Sequence, residues 1–91
     1  MKESWSKYSD SIEKSREYHK RYQIAVNNPV RRQILKLLLK GKKLNTIKHE
    51  LNLSDSQLEY HLKILEWGFC IERKGEDIKV TKEGMVVNFL E

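Results

Sequence analysis

Residues 53–69, LSDSQLEYHLKILEWGF, carry a helix start, a helix stop and a polar face in one short stretch. Ser54 suits the N-cap, and Gln57 three residues later completes a capping box. Gly68 suits the stop. Leu58, Leu62 and Leu65 recur on one helical face, with His61 and Ile64 at its margins. Gln57, Glu59, Tyr60 and Lys63 lie away from that face. A shorter helical pattern ends one turn upstream. Leu44 is expected to be extended and packed inward, Asn45 to cap, and Ile47 and Leu51 to be buried. Asn52 fits a left-handed turn position that a short polar side chain tolerates. Two helices joined by so tight a turn predict a helix-turn-helix, because so few residues leave little freedom in how the helices cross.

The flanking segments extend that unit. Residues 4–27 lack Pro and Gly, and Trp5, Tyr8, Ile12, Ser15, His19, Tyr22 and Val26 follow alternating steps of three and four. A helix of about 24 residues is long for so small a core, so Trp5, Tyr8, Ile12, His19, Tyr22 and Val26 are expected to form a homodimer contact. Asn28 and Pro29 suit the cap and first position of the next helix. Val30, Ile34, Leu35, Leu37 and Leu38 supply its buried face, Arg31, Arg32, Lys36 and Lys40 much of the remainder, and Gly41 its end. After Gly68, FCIERKGEDIKVT predicts two strands around a turn at Gly75–Asp77. Thr81 suits the cap of a last helix. The fold predicted is mainly α with a small β-hairpin (α+β): a winged helix-turn-helix with an extra N-terminal helix. It forms a single domain with an N-terminal dimerisation helix at 4–27, a winged core at 28–81 and a C-terminal helix at 82–91.

The 91 residues carry a net charge of +5, unevenly placed. Residues 29–53 hold seven Lys+Arg against one Glu, whereas residues 54–67 hold one Lys against three acids. A basic excess permits a nucleic-acid partner without requiring one. No apolar run approaches the length of a membrane span, and the N-terminus lacks the apolar core of a secretory signal. A single cysteine, Cys70, excludes an internal disulfide framework and fits a cytoplasmic location.

Three motifs carry a family resemblance. NPVRRQILKLLLKGKKL, LSDSQLEYHLKILEWGFCIERKG and VTKEG resemble the first helix, the recognition helix with its first wing strand, and the start of the last helix of the arsenical-repressor-like (ArsR-like) winged-helix transcriptional regulators. The resemblance covers about residues 28–85. It implies a DNA-binding regulator whose groove-facing positions are Ser56, Gln57, Glu59, Tyr60 and Lys63. Gln57 can pair bidentately with adenine, Glu59 can accept from cytosine N4, Tyr60 can meet a thymine methyl or a phosphate, and Lys63 a phosphate or guanine. Lys42, Lys43 and Lys48 beside the helix-turn-helix are candidate phosphate clamps, and Arg73, Lys74 and Lys79 are wing contacts. Glu76 and Asp77 at the wing tip oppose such contacts.

Other chemistries find little support. No Gly-rich phosphate loop, paired-carboxylate motif or nucleophile–base order is present, so no enzyme is expected. His19, His49 and His61 are dispersed and no Cys/His spacing suits a metal, so neither metal nor cofactor is expected. His61 and Cys70 are expected to be core residues. The leading expectation is a dimeric regulator that inserts helix 54–67 in the major groove of double-stranded DNA, its effector unspecified. The alternative is a winged helix used for protein–protein interaction without DNA binding, favoured by the acidic balance of residues 54–67.

Overall fold

The computed structural model describes residues 12–75 and 77–89. Trp5, Tyr8, the side chain of Ile12, and Glu76 at the wing tip lie outside the described residues, so the expectations placed on them stay there. Helix α1 runs Ile12–Val26, α2 Pro29–Leu39, α3 Leu44–Glu50 and α4 Asp55–Trp67. Strands β1 (Ile71–Lys74) and β2 (Asp77–Val80) pair antiparallel, with Ile71 opposite Val80 and Lys74 opposite Asp77. A 3-10 helix, Gly84–Phe89, follows. The architecture is a winged helix-turn-helix with an added N-terminal helix.

Helix α2 starts as its sequence requires. The Asn28 side chain accepts from the Val30 and Arg31 amides at 2.9 and 3.2 Å, and Pro29 takes the first turn. Three helices then end by one device, in which the amides of the two residues after the cap return to carbonyls of the last turn. After α2, Gly41 bonds Leu38 and Lys42 bonds Leu37. After α3, Asn52 bonds His49 and Leu53 bonds Lys48. After α4, Phe69 bonds Glu66 and Cys70 bonds Leu65. Each ending needs a left-handed residue, and these are Gly41 (φ 82), Asn52 (φ 55) and Phe69 (φ 67).

At the third ending Gly68 is the stop, as expected, but by an unexpected means. Its φ is −91, so it does not supply the left-handed turn. It is needed for closeness instead: a Cβ there would run into Ala25 Cβ and stand 2.8 Å from the Arg21 carbonyl of α1. The turn passes to Phe69, at a cost of about 1–2 kcal/mol for a side-chain-bearing residue. Two contacts offset much of that cost. The Phe69 ring stacks on Tyr18, with centroids 4.7 Å apart, and lies under the Arg21 guanidinium at 4.7 Å.

Ile34, Leu35, Ile47, Leu62, Leu65, Cys70, Ile71 and Val87 are fully buried and form the centre of the core. Every helix, both strands and the C-terminal 3-10 helix contribute to the core cluster. Three further expectations change. Helix α3 begins at Leu44, with Lys43 in the cap position and no side-chain cap bond, so Asn45 does not cap and Leu44 is helical. Leu44 packs against the core, and that draws the helix start upstream of Asn45. The segment after Thr81 winds as a 3-10 helix. Thr81 Oγ1 caps it by accepting from the Gly84 amide, and Gly84 lies so close to the Cys70 carbonyl that a Cβ would collide with it.

The third change concerns α1. Its buried stripe is Tyr18, Ala25 and Val26, with Tyr22 packed beside it, while His19 is exposed. Val26 and Tyr22, expected at a dimer contact, are therefore used within the chain. The close crossing of α1 over Gly68 turns this face of the helix inward. Among the described residues, no helix is long and apolar enough to cross a membrane.

Candidate nucleic-acid interface

Helices α3 and α4 are held together at their junction by more than the turn. Ser54 Oγ accepts from the Gln57 amide at 3.1 Å, and Gln57 Oε1 accepts from the Ser54 amide at 2.9 Å, closing the capping box. Lys48 on α3 donates to Asp55 on α4 at 2.7 Å. The α4 start is thus fixed by local sequence and by one ion pair across the turn.

On the outer face of α4, Ser56, Gln57, Tyr60 and Lys63 are exposed, and Tyr60 is the most open large hydrophobic side chain among the described residues, at 60%. Several of the residues expected to touch DNA are already engaged. Gln57 spends its amide oxygen on the cap, and a bidentate adenine contact needs both ends of that amide, so the two uses compete. Lys48 is tied to Asp55. Arg73 reaches from the middle of β1 to Glu59, giving a bidentate pair at 2.9 and 3.2 Å. That pair holds the Glu59 carboxyl below its usual range, first through the Arg73 hydrogen bonds, against a smaller effect of burial.

The remaining cations lie on the elements around α4. Lys42 and Lys43 are exposed before α3, and Lys74 and Lys79 are exposed on the wing. Lys42, Lys43, Asn45, Arg73 and Asp77 line one cleft of about 750 Å3 between the α3 start and the hairpin. The fold therefore brings Lys42 and Lys43 to one cleft with Arg73, some thirty residues away in the linear sequence.

Two arginines outside the expected site organise it from behind. Arg31 is only 7% exposed. Its Nε and Nη2 donate to the carbonyls of Ala25 and Ile24 at the end of α1, and Nη1 donates to His61 Nδ1 at 3.2 Å. A cation there satisfies carbonyls that a helix end leaves unpaired and meets the negative end of its dipole. Arg21 does the same for α4: Nε donates to the Trp67 carbonyl at 2.9 Å, and the guanidinium lies 5.0 Å from the Trp67 ring centroid. Arg31, expected on the polar remainder of α2, is buried, which corrects that expectation; its position three and four residues before Ile34 and Leu35 is the sequence signal for the buried side. Arg21 carries no comparable signal, because its partners come from the far end of α4.

His61, as expected, sits beside the core. Burial and then the Arg31 charge hold its pKa down, and accepting at Nδ1 leaves its ring proton on Nε2. Cys70 is fully buried, and burial, followed by Glu83, pushes its thiol up to about 12. That opposes the thiolate a redox sensor needs. His19, His49 and His61 lie on three different helices, and among the described residues no three His, Cys, Asp or Glu side chains come together to hold a metal.

No protein-family model matches the chain. A protein of Archaeoglobus fulgidus described as uncharacterized is 36% identical over 74 residues, which span 79% of this chain and 84% of that protein. At that identity and coverage the chain belongs to the same family as the Archaeoglobus protein.

Proposed function

We propose that the chain is a dimeric, cytoplasmic DNA-binding transcriptional regulator of the ArsR-like winged-helix type, with α4 in the major groove. One observation carries this reading: the outer face of α4 is open at Ser56, Gln57, Tyr60 and Lys63, and exposed cations stand on the neighbouring elements, Lys42 and Lys43 before α3 and Lys74 and Lys79 on the wing. Cations on the elements beside a recognition helix can hold phosphates while the helix itself meets base edges. Two of the three acids of α4 do not defeat the arrangement, because Asp55 and Glu59 are paired within the protein with Lys48 and Arg73. A two-fold dimer places two such helices about 34 Å apart, one turn of DNA.

The alternative is a protein-interaction module. It is favoured by the exposed Tyr60 and Trp67 on α4 and by the engagement of Lys48 and Arg73 away from any phosphate. Retention of the chain on random duplex DNA against salt decides between the two. The regulator reading expects retention at about 50 mM salt. It expects Lys43→Ala to weaken binding to all sequences alike and to lower the slope of log affinity against log salt by about 1. Absence of retention at that salt transfers the function to the protein-interaction reading.

A further inference from the structure

Glu59 puts a carboxylate in the middle of the helix proposed to face DNA, and the hairpin supplies the group that makes it tolerable there. Arg73 Nη1 donates to Glu59 Oε2 and Nη2 to Oε1, so the pair is bidentate and neutral. Arg73 is anchored in a paired strand opposite Ile78, not at the mobile end of a side loop. Its side chain is 26% exposed and turned to α4, whereas that of Glu59 is 43% exposed. An ionised carboxylate offers about four lone-pair positions. Arg73 uses two, and the open side of Glu59 leaves the others to solvent. Two neighbouring candidates, Gln57 and Ser56, are less available. The Gln57 oxygen is held in the cap, and the Ser56 hydroxyl lies 3.3 Å from that of Ser54.

A carboxylate can only accept. In the major groove the cytosine edge offers an amino donor alone, while the adenine edge sets an acceptor, N7, beside its donor. An acceptor-only group therefore suits cytosine. We infer that Glu59 is the residue that sets sequence preference, by accepting from cytosine N4. Arg73 is then the positioning residue that orients its carboxylate and cancels its charge. This assignment rests on the DNA-binding reading. It also replaces the expectation that Arg73 clamps a phosphate.

Selection of the full chain on a random duplex library tests it. The parent enriches sites with cytosine at one fixed position. Glu59→Gln lowers that preference about tenfold or more without lowering affinity for random duplex. Arg73→Gln lowers it as well, although Glu59 is intact, while circular dichroism stays that of the parent. Arg73→Lys keeps the charge and loses the fork, so it keeps part of the preference, and it serves in place of Arg73→Gln should that variant not fold. Glu59→Gln and the double variant Glu59→Gln/Arg73→Gln share one salt slope, because Arg73 meets no phosphate. The assignment is overturned by a cytosine preference that survives Glu59→Gln or Arg73→Gln, by a parent that binds duplex without selecting cytosine, or by a salt slope about 1 lower in the double variant. A parent with no retention on any duplex at about 50 mM salt overturns the DNA-binding reading itself.

Discussion

Arg31 and His61 form a contact whose strength depends on pH. An arginine can only donate, so the 3.2 Å contact from Nη1 needs His61 Nδ1 unprotonated. The ring of Tyr60 meets that of His61 edge-on. Burial and the Arg31 charge lower the His61 pKa from its ordinary 6.5. Between that value and the lower folded one, the unfolded chain binds more protons than the folded chain. The stability from a neutral His61 is therefore complete above pH 6.5 and is lost as pH falls below it. His61→Gln keeps an acceptor for Arg31 and cannot titrate in this range. Denaturant unfolding at a series of pH values should show the parent weakening below about pH 6.5, with the variant flat until carboxylates protonate near pH 4. Parallel curves for the two proteins would assign the acid sensitivity elsewhere.

At the scale of the element, the capping box of α4 decides what Gln57 does. Its side chain is committed to the Ser54 amide, and Ser54 Oγ to the Gln57 amide. Gln57→Ala removes the first bond and leaves the second. Loss of half of such a cap is expected to cost about 0.5–1 kcal/mol, read as a fall of a few degrees in Tm. Sequence preference in the selection above should stay that of the parent. An unchanged Tm combined with a lost preference would return Gln57 to the base edge. The box was legible in the sequence from the Ser54–Gln57 spacing, and so was the adenine contact. A sequence pattern names every partner a carboxamide is able to take, and folding fixes the partner present in the free protein.

Across the whole molecule, the close crossing of α1 and α4 organises the rest. Gly68 sits where the Arg21 carbonyl and Ala25 press against the end of α4, and the same crossing brings Arg21 over Trp67 and Phe69. Gly68→Ala places a methyl group into that contact. Its expected cost is about 1–3 kcal/mol of overpacking, seen as a lower denaturant midpoint. Phe69→Gly relieves the left-handed strain at the next residue but removes the Tyr18 stack, so its net change should be smaller. If Gly68→Ala is as stable as the parent, the helices have room to separate and the glycine serves only the chain ending.

Much of the molecule follows from local rules that act within four or five residues. The helix starts at Asn28 and Ser54, the left-handed turns at Gly41 and Asn52, the two short strands around Gly75, and the Leu58–Leu62–Leu65 face are set by capping chemistry, backbone sterics and periodicity. They are legible because cause and effect are neighbours in the chain. Tertiary structure alone decided what lies between distant residues. It turned Tyr22 and Val26 inward, sent Arg31 to the end of α1, spent Gly68 on a helix crossing, and paired Lys48 with Asp55 and Arg73 with Glu59. The linear sequence shows an acidic helix beside basic neighbours, and their charges cancel only where folding brings the side chains within hydrogen-bonding distance. Coulomb and hydrogen-bond energies depend on separation in space, and sequence separation does not set that distance.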